Sequence, residues 1–114
     1  MVSMKKVQAR FFETASGVRP VREWLVALSR LDRATIGKDI QRVEFGWPIG
    51  MPYCRGLGRG LWEIRSDLVD GRIARTIVYF EGSQIVLLHG FIKKSQKTPA
   101  SEIDLAIRRM KELQ

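Results

Sequence analysis

Three lysines follow directly on an apolar run. In "QIVLLHGFIKKSQKTP" (residues 84–99), Lys93, Lys94 and Lys97 stand just past the hydrophobic stretch, with His89 inside it. Two arginines sit within strand-like runs upstream, Arg65 in "LWEIR" (61–65) and Arg75 in "RIARTIVYF" (72–80). Side chains of these types do one kind of chemistry well. They hold anions, arginine through a planar fork of donors that matches phosphate and lysine as a mobile point charge. Gathering such cations on a rigid surface costs self-repulsion, which an anion bound between them would offset. The plainer reading is a set of solvated surface charges, partly neutralised by Glu63 and Asp104, and the spacing alone leaves both open.

The wider composition narrows the partner. Twenty Lys and Arg against twelve Asp and Glu give a net charge of +8 and a pI near 10.3. A basic surface of that density suits a phosphate polymer, although it also suits an acidic protein partner. The chain has a single cysteine, Cys54, so no internal disulfide can form and a reducing, cytoplasmic setting is expected. His89 is the sole histidine, and nothing in the spacing puts it beside Cys54, so Cys54 reads as an ordinary thiol. No apolar run approaches the ~18 residues of a membrane span, and "MVSMKKVQARFF" lacks the apolar centre of a signal peptide. No membrane association is expected.

The elements that must position the cations follow from periodicity. At 114 residues the chain suits one domain, residues 1–114, without repeats or linkers. Residues 7–17 alternate loosely and read as a first strand. Val21, Trp24, Leu25 and Leu28 repeat at helical spacing after Pro20, and Ile36, Ile40 and Val43 do so after Asp32, which reads as an N-cap. These two segments predict a helical hairpin. "GWPIGMPYCRGLGRG" (46–60) reads as irregular loop. Three strands follow, over 61–65, 72–80 and 84–91, joined at Asp70-Gly71 and Gly82-Ser83. A last helix carries Ile103, Ala106, Ile107 and Met110, capped by Ser101 or by Thr98 with Pro99 at its first position. The expected fold class is α+β, in the order β-α-α-β-β-β-α, with the helices against one face of an antiparallel-rich sheet.

Strand alternation then sorts the side chains. A two-residue connection between the last two strands places Ala74, Thr76, Val78, Phe80, Ile85, Leu87 and His89 on one face, the face expected to meet the helices. Arg75, Ile77, Tyr79, Val86 and Leu88 take the other, joined by Glu63 and Arg65 from the preceding strand. Trp24, Trp47 and Trp62 read as packing anchors rather than base-stacking platforms, and His89 as a structural histidine first, with acid–base work the second reading.

"RGLGRGLWEIR", "RIARTIVYF" and "IVLLHGFIKKSQKTPASEIDLAIRRM", in that order, resemble the RelE-superfamily toxins of type II toxin–antitoxin systems, and most nearly their HigB-like, phage-derived branch. The resemblance is specific from Arg55 onward and one of pattern only before it. It implies a RelE-like fold and an endoribonuclease that cuts mRNA on the translating ribosome and so inhibits translation. Carried over by position, Arg65, Arg75, Lys93 and Lys94 are the implied catalytic residues, and Arg55, Lys97, Tyr79 and Arg108 the implied RNA contacts. No metal and no cofactor is implied. The implied partners are mRNA and the ribosome, a helix-turn-helix antitoxin encoded by an adjacent gene, and operator DNA through the antitoxin complex alone. Some relatives place a tyrosine near the last helix as base where this chain has Ile103, so the base stays unassigned.

The chemistry so implied needs little from the protein. RNA carries its own nucleophile, the 2′-hydroxyl beside the scissile phosphate. Cations must hold the phosphate and stabilise charge on the phosphorane, and a lysine crowded by other cations can transfer a proton. Two other readings stand beside it: a ParE-like toxin that poisons gyrase, and a non-catalytic, phage-derived module whose basic face binds nucleic acid or an acidic partner.

Overall fold

A computed structural model describes residues 4–48, 50, 53–93 and 97–113. Strand β1 (Gln8–Phe11) leads into helices α1 (Pro20–Ala27) and α2 (Arg30–Gly46). Strands β2 (Cys54–Gly58), β3 (Leu61–Asp67), β4 (Ile73–Glu81) and β5 (Gln84–Lys93) follow, and helix α3 (Ala100–Lys111) closes the order. The α+β class and the helical hairpin are as the periodicity predicts. One strand is not: β2 lies within the stretch read as irregular loop, and pairs antiparallel with β3 from Cys54 opposite Ile64 to Gly58 opposite Leu61. Its glycines have poor strand propensity, so it is the exposed edge of β3 that recruits this segment.

The sheet runs β1-β5-β4-β3-β2, with β1 parallel to β5 and every other pair antiparallel. β4 and β5 meet through Gly82-Ser83, with Glu81 opposite Gln84. Gly82 has φ 60°, a left-handed conformation that glycine adopts without a Cβ penalty.

The helices divide between the two faces. Val21 and Leu25 of α1 and Ile36, Ile40 and Val43 of α2 bury against Ile64, Ala74, Val78, Ile85 and Leu87. Ala106, Ile107 and Met110 of α3 bury against Leu61, Ile77, Val86, Leu88 and Phe91 on the opposite side. The expectation of helices on one face is thus corrected. Leu61, Ile77, Val86 and Leu88 give the second face enough apolar surface to need a cover, and the chain leaving β5 brings α3 over it.

The caps also differ from expectation. Ser29, not Asp32, caps α2, its Oγ accepting the Asp32 N–H at 3.2 Å. Asp32 sits in the first turn, where its carboxylate takes both terminal nitrogens of Arg72 at 2.8 and 3.0 Å. That guanidinium holds the Asp32 carboxyl below its ordinary value, against the opposing pull of burial. The N-cap of α3 is Pro99, without a side-chain cap, because Thr98 is turned inward. Arg33 closes the α1–α2 corner by donating to the carbonyls of Leu25, Val26 and Leu28 at 3.4, 3.2 and 3.2 Å, where the end of α1 leaves acceptors open.

Trp24 fixes how α1 sits on the sheet. Its six-membered ring lies against Gly90 of β5, and a Cβ there would fall 2.2 Å from the nearest ring atom. Gly90→Ala is therefore expected to cost roughly 1–3 kcal/mol through overpacking against a rigid indole. Urea denaturation of the variant measures it, and Trp24→Leu in the same chain should recover part of the loss.

Candidate functional site

On the α3 side of the sheet the cross-strand pairs form rows. Arg55, Glu63, Ile77 and His89 make one row across β2, β3, β4 and β5. Arg65, Arg75 and Phe91 make the next, and Asp67, Ile73 and Lys93 the one beyond. Residues sharing a row and a face stand within reach of one another.

Glu63 is the hub. It is 4% exposed, and its Oε1 accepts Arg75 Nε at 3.0 Å. Its Oε2 accepts Arg55 Nη2 at 3.4 Å and a short hydrogen bond from the Thr98 hydroxyl. Arg55 Nη2 also reaches Thr98 Oγ1 at 3.3 Å, while 42% of the Arg55 side chain stays exposed. A carboxylate taken out of water at this depth needs charged or hydrogen-bonding partners on both oxygens, and Glu63 has them.

Arg75 lies deeper than strand alternation alone indicates. It is 1% exposed, the largest of the fully buried side chains. The expectation of a surface fork gripping phosphate meets a guanidinium enclosed by the sheet and held to Glu63. The cause is α3, whose packing covers the face that alternation left open.

The other expected site residues fall in several places. Lys93 is exposed at the end of β5 on the Arg75 face, opposite Ile73. Lys97 is exposed immediately before the anchored Thr98. Lys94 lies outside the described residues. Arg65 is opposite Arg75 in the ladder, but its Nε bonds Asp67 Oδ1 at 3.1 Å and it lines a separate cleft with Thr35, Asp39, Arg42 and Tyr53. Tyr79 shares the face yet packs at the opposite end of β4, against the turn at Gly60. Arg108 is exposed on α3. The fold therefore gathers Arg55 and Arg75 on Glu63, sets Lys97 beside them along the chain, puts Lys93 on the same side, and leaves Arg65 and Tyr79 apart.

His89 is the clearest reversal. Val78 pairs with Leu87 but Ile77 pairs with His89, so Leu88 is an extra residue and the ladder carries a β-bulge. The bulge turns His89 from the α1–α2 face to the Arg75 face. There its Nε2 makes a short contact with Glu102 Oε2, and Arg109 Nη1 approaches Nδ1 at 3.4 Å. Arg109 Nη1 donates at 2.7 Å to the carbonyl of Leu88, the bulged residue. Burial pulls the Arg109 guanidinium below its ordinary value. Thr98, Glu102 and Arg109 lie within the segment that carries the resemblance, but residue type and spacing alone do not mark them for this site. The signal for Thr98 is its place before Pro99, which biases its backbone away from the helical region.

Cys54 is 2% exposed and faces α2, in the cluster with Ile36, Ile40 and Val43. Desolvation pushes its thiol up to about 11. Because the thiolate is the reactive form, iodoacetamide at pH 8 should leave the folded protein unlabelled and modify it on unfolding, as mass spectrometry would read.

A five-stranded mixed sheet with helices on both faces, carrying cations around a buried Glu–Arg pair, makes this an α+β protein of RelE-like architecture. The phage-derived protein Gp49-like family (DUF891) matches residues 23–111, from within α1 to the end of α3. The chain belongs to that family, which is RelE-like and toxin-like. No curated protein matches the chain. Among the described residues no helix is long and apolar enough to cross a membrane.

Proposed function

We propose that the protein is the toxin of a type II toxin–antitoxin pair, of HigB-like kind, and cuts mRNA on the translating ribosome. The observation that carries this reading is the Glu63 hub. It fixes Arg55 through the same carboxylate oxygen that ties down Thr98, and so holds the Lys97 end of the β5–α3 connection against the sheet. An arginine held this way is preorganised, and preorganised cations stabilise a transition state without reorganising during the reaction.

In this reading Arg55, Lys93, Lys94 and Lys97 hold the scissile phosphate and its neighbours, and Arg75 acts through Glu63 as a positioning residue. Arg65, Tyr79 and Arg108 lie outside the hub and contact RNA flanking the cut. The 2′-hydroxyl attacks the adjacent phosphorus, the bond to the 5′-oxygen breaks, and the products end in a 2′,3′-cyclic phosphate and a 5′-hydroxyl. The substrate supplies the nucleophile, so the reaction calls for no metal-bound water. The partner is a small helix-turn-helix antitoxin encoded beside the toxin, through which the pair reaches operator DNA, and the setting is the cytoplasm, where translation runs.

Primer extension on a translated mRNA, with and without ribosomes, tests the reading. Cuts that need both the protein and ribosomes are expected. Intact mRNA with growth arrested and gyrase inhibited would favour the ParE-like alternative, and intact mRNA without arrest a binding module.

A further inference from the structure

The base left unassigned by the sequence has a candidate in the bulge. We propose that His89 is the proton acceptor of the site, oriented by Glu102, an inference that rests on the ribonuclease reading above.

Four observations converge. The bulge places His89 in one row with Arg55, Glu63 and Ile77, the row that contains the hub. Bulges re-aim side chains, and they are enriched beside active sites. The ring has its orienting carboxylate: Glu102 holds Nε2. Arg109 Nη1, a donor only, faces Nδ1, so Nδ1 presents its lone pair and the Nε2 hydrogen points at Glu102. The 3.4 Å approach of Arg109 is long, while its bond to the Leu88 carbonyl is short at 2.7 Å. Arg109 therefore stands at Nδ1 through a weak contact, and a substrate hydroxyl takes that nitrogen by displacing it. Finally, the imidazole and the Glu102 side chain are 14% and 21% exposed, sheltered but not sealed.

The pattern is that of an activated base: one ring nitrogen whose lone pair is available once Arg109 gives way, and the other held by a carboxylate. The step balances. Nδ1 takes the 2′-hydroxyl proton as the 2′-oxygen bonds to phosphorus, the 5′-oxygen leaves and takes a proton from water, and the imidazolium returns its proton to solvent. The charged groups that face His89 are Glu102 and Arg109 from α3, and those on its side of the sheet are Glu63 from β3, Arg75 from β4 and Lys93 from β5.

The test is single-turnover cleavage of ribosome-bound mRNA by the full chain, with His89→Gln, His89→Ala and Glu102→Gln beside the parent, each checked by thermal melting. His89→Gln keeps a donor for Glu102 but cannot shuttle a proton, and should lower the rate on the order of 10²–10⁴-fold. The acid limb of the pH–rate profile should disappear with it. Free imidazole should restore part of the activity of folded His89→Ala, which a purely structural histidine would not allow. Glu102→Gln, which removes the orienting charge from Nε2, should slow cleavage. A folded His89→Gln that cuts within about twofold of the parent overturns the proposal. Because His89 is the sole histidine, ¹⁵N NMR of the parent reads its tautomer without any variant. A hydrogen on Nε2 supports the proposal, and one on Nδ1 overturns it. A parent that cuts nothing overturns the ribonuclease reading, and this proposal with it, whereas an active parent with an equally active His89→Gln overturns this proposal alone.

Discussion

Arg75→Ala is expected to lower the unfolding free energy by roughly 3–5 kcal/mol, the range for breaking one side of a buried ion pair. The substitution empties the space of the largest fully buried side chain and takes the nearest cation from Glu63. Arg55 and the Thr98 hydroxyl remain on the other carboxylate oxygen and keep the loss toward the lower end. For a domain of this size the thermal midpoint should fall by on the order of 10 °C. The double variant Glu63→Gln with Arg75→Met removes both charges and keeps most of the volume, so it should recover much of the loss. Urea denaturation of the parent and the variants measures this. A loss below about 1 kcal/mol for Arg75→Ala would mean the pair is not buried as described. Arg75→Ala is consequently a poor probe of chemistry, because activity would fall along with the structure.

The second large effect belongs to the exposed cations. Arg55→Ala with Lys93→Ala should reduce mRNA cleavage at least about 10²-fold, the cost of removing one preorganised charge contact in a reaction of this type. Stability should fall by no more than about 2 kcal/mol, since Arg55 is half exposed and the buried Glu63 keeps Arg75 on one oxygen and the Thr98 hydroxyl on the other. Binding should report the same charges. Every phosphate that the variant no longer holds should lower the slope of log affinity against log salt by about one. Filter binding to ribosomes across a salt series reads it. A folded double variant with unchanged cleavage and unchanged salt slope would remove Arg55 and Lys93 from the site.

Much of this fold is legible because its hydrophobic stripes are regular. Val21 and Leu25, then Ile36, Ile40 and Val43, then Ala106, Ile107 and Met110, each mark the buried side of a helix at the expected spacing. The β4–β5 register is legible from Glu81 to Val78, because Gly82-Ser83 permits a tight connection, and alternation along β3 and β4 puts Glu63, Arg65 and Arg75 on one side. The features that sequence does not show depend on contacts distant in the chain. β2 is a strand only because β3 offers an edge, and Gly56 and Gly58 carry no strand signal of their own. The bulge at Leu88 is a single extra residue, silent in composition, and it reverses the face of His89. The depth of Arg75 depends on which side α3 packs, and alternation within a strand does not report that. The cationic site is therefore legible as a set of charges on one face, and illegible as a hub organised by Glu63 and Thr98.

The central claim is that protein cations steady a phosphate while the RNA's own 2′-oxygen displaces the 5′-oxygen. Its most direct test is an mRNA carrying one 2′-deoxynucleotide at a mapped cut, translated in the presence of the protein. Cleavage should vanish at that nucleotide and persist at its neighbours, with a 2′,3′-cyclic phosphate on each upstream fragment and a 5′-hydroxyl on each downstream one. Undiminished cutting at the deoxy position would contradict the account.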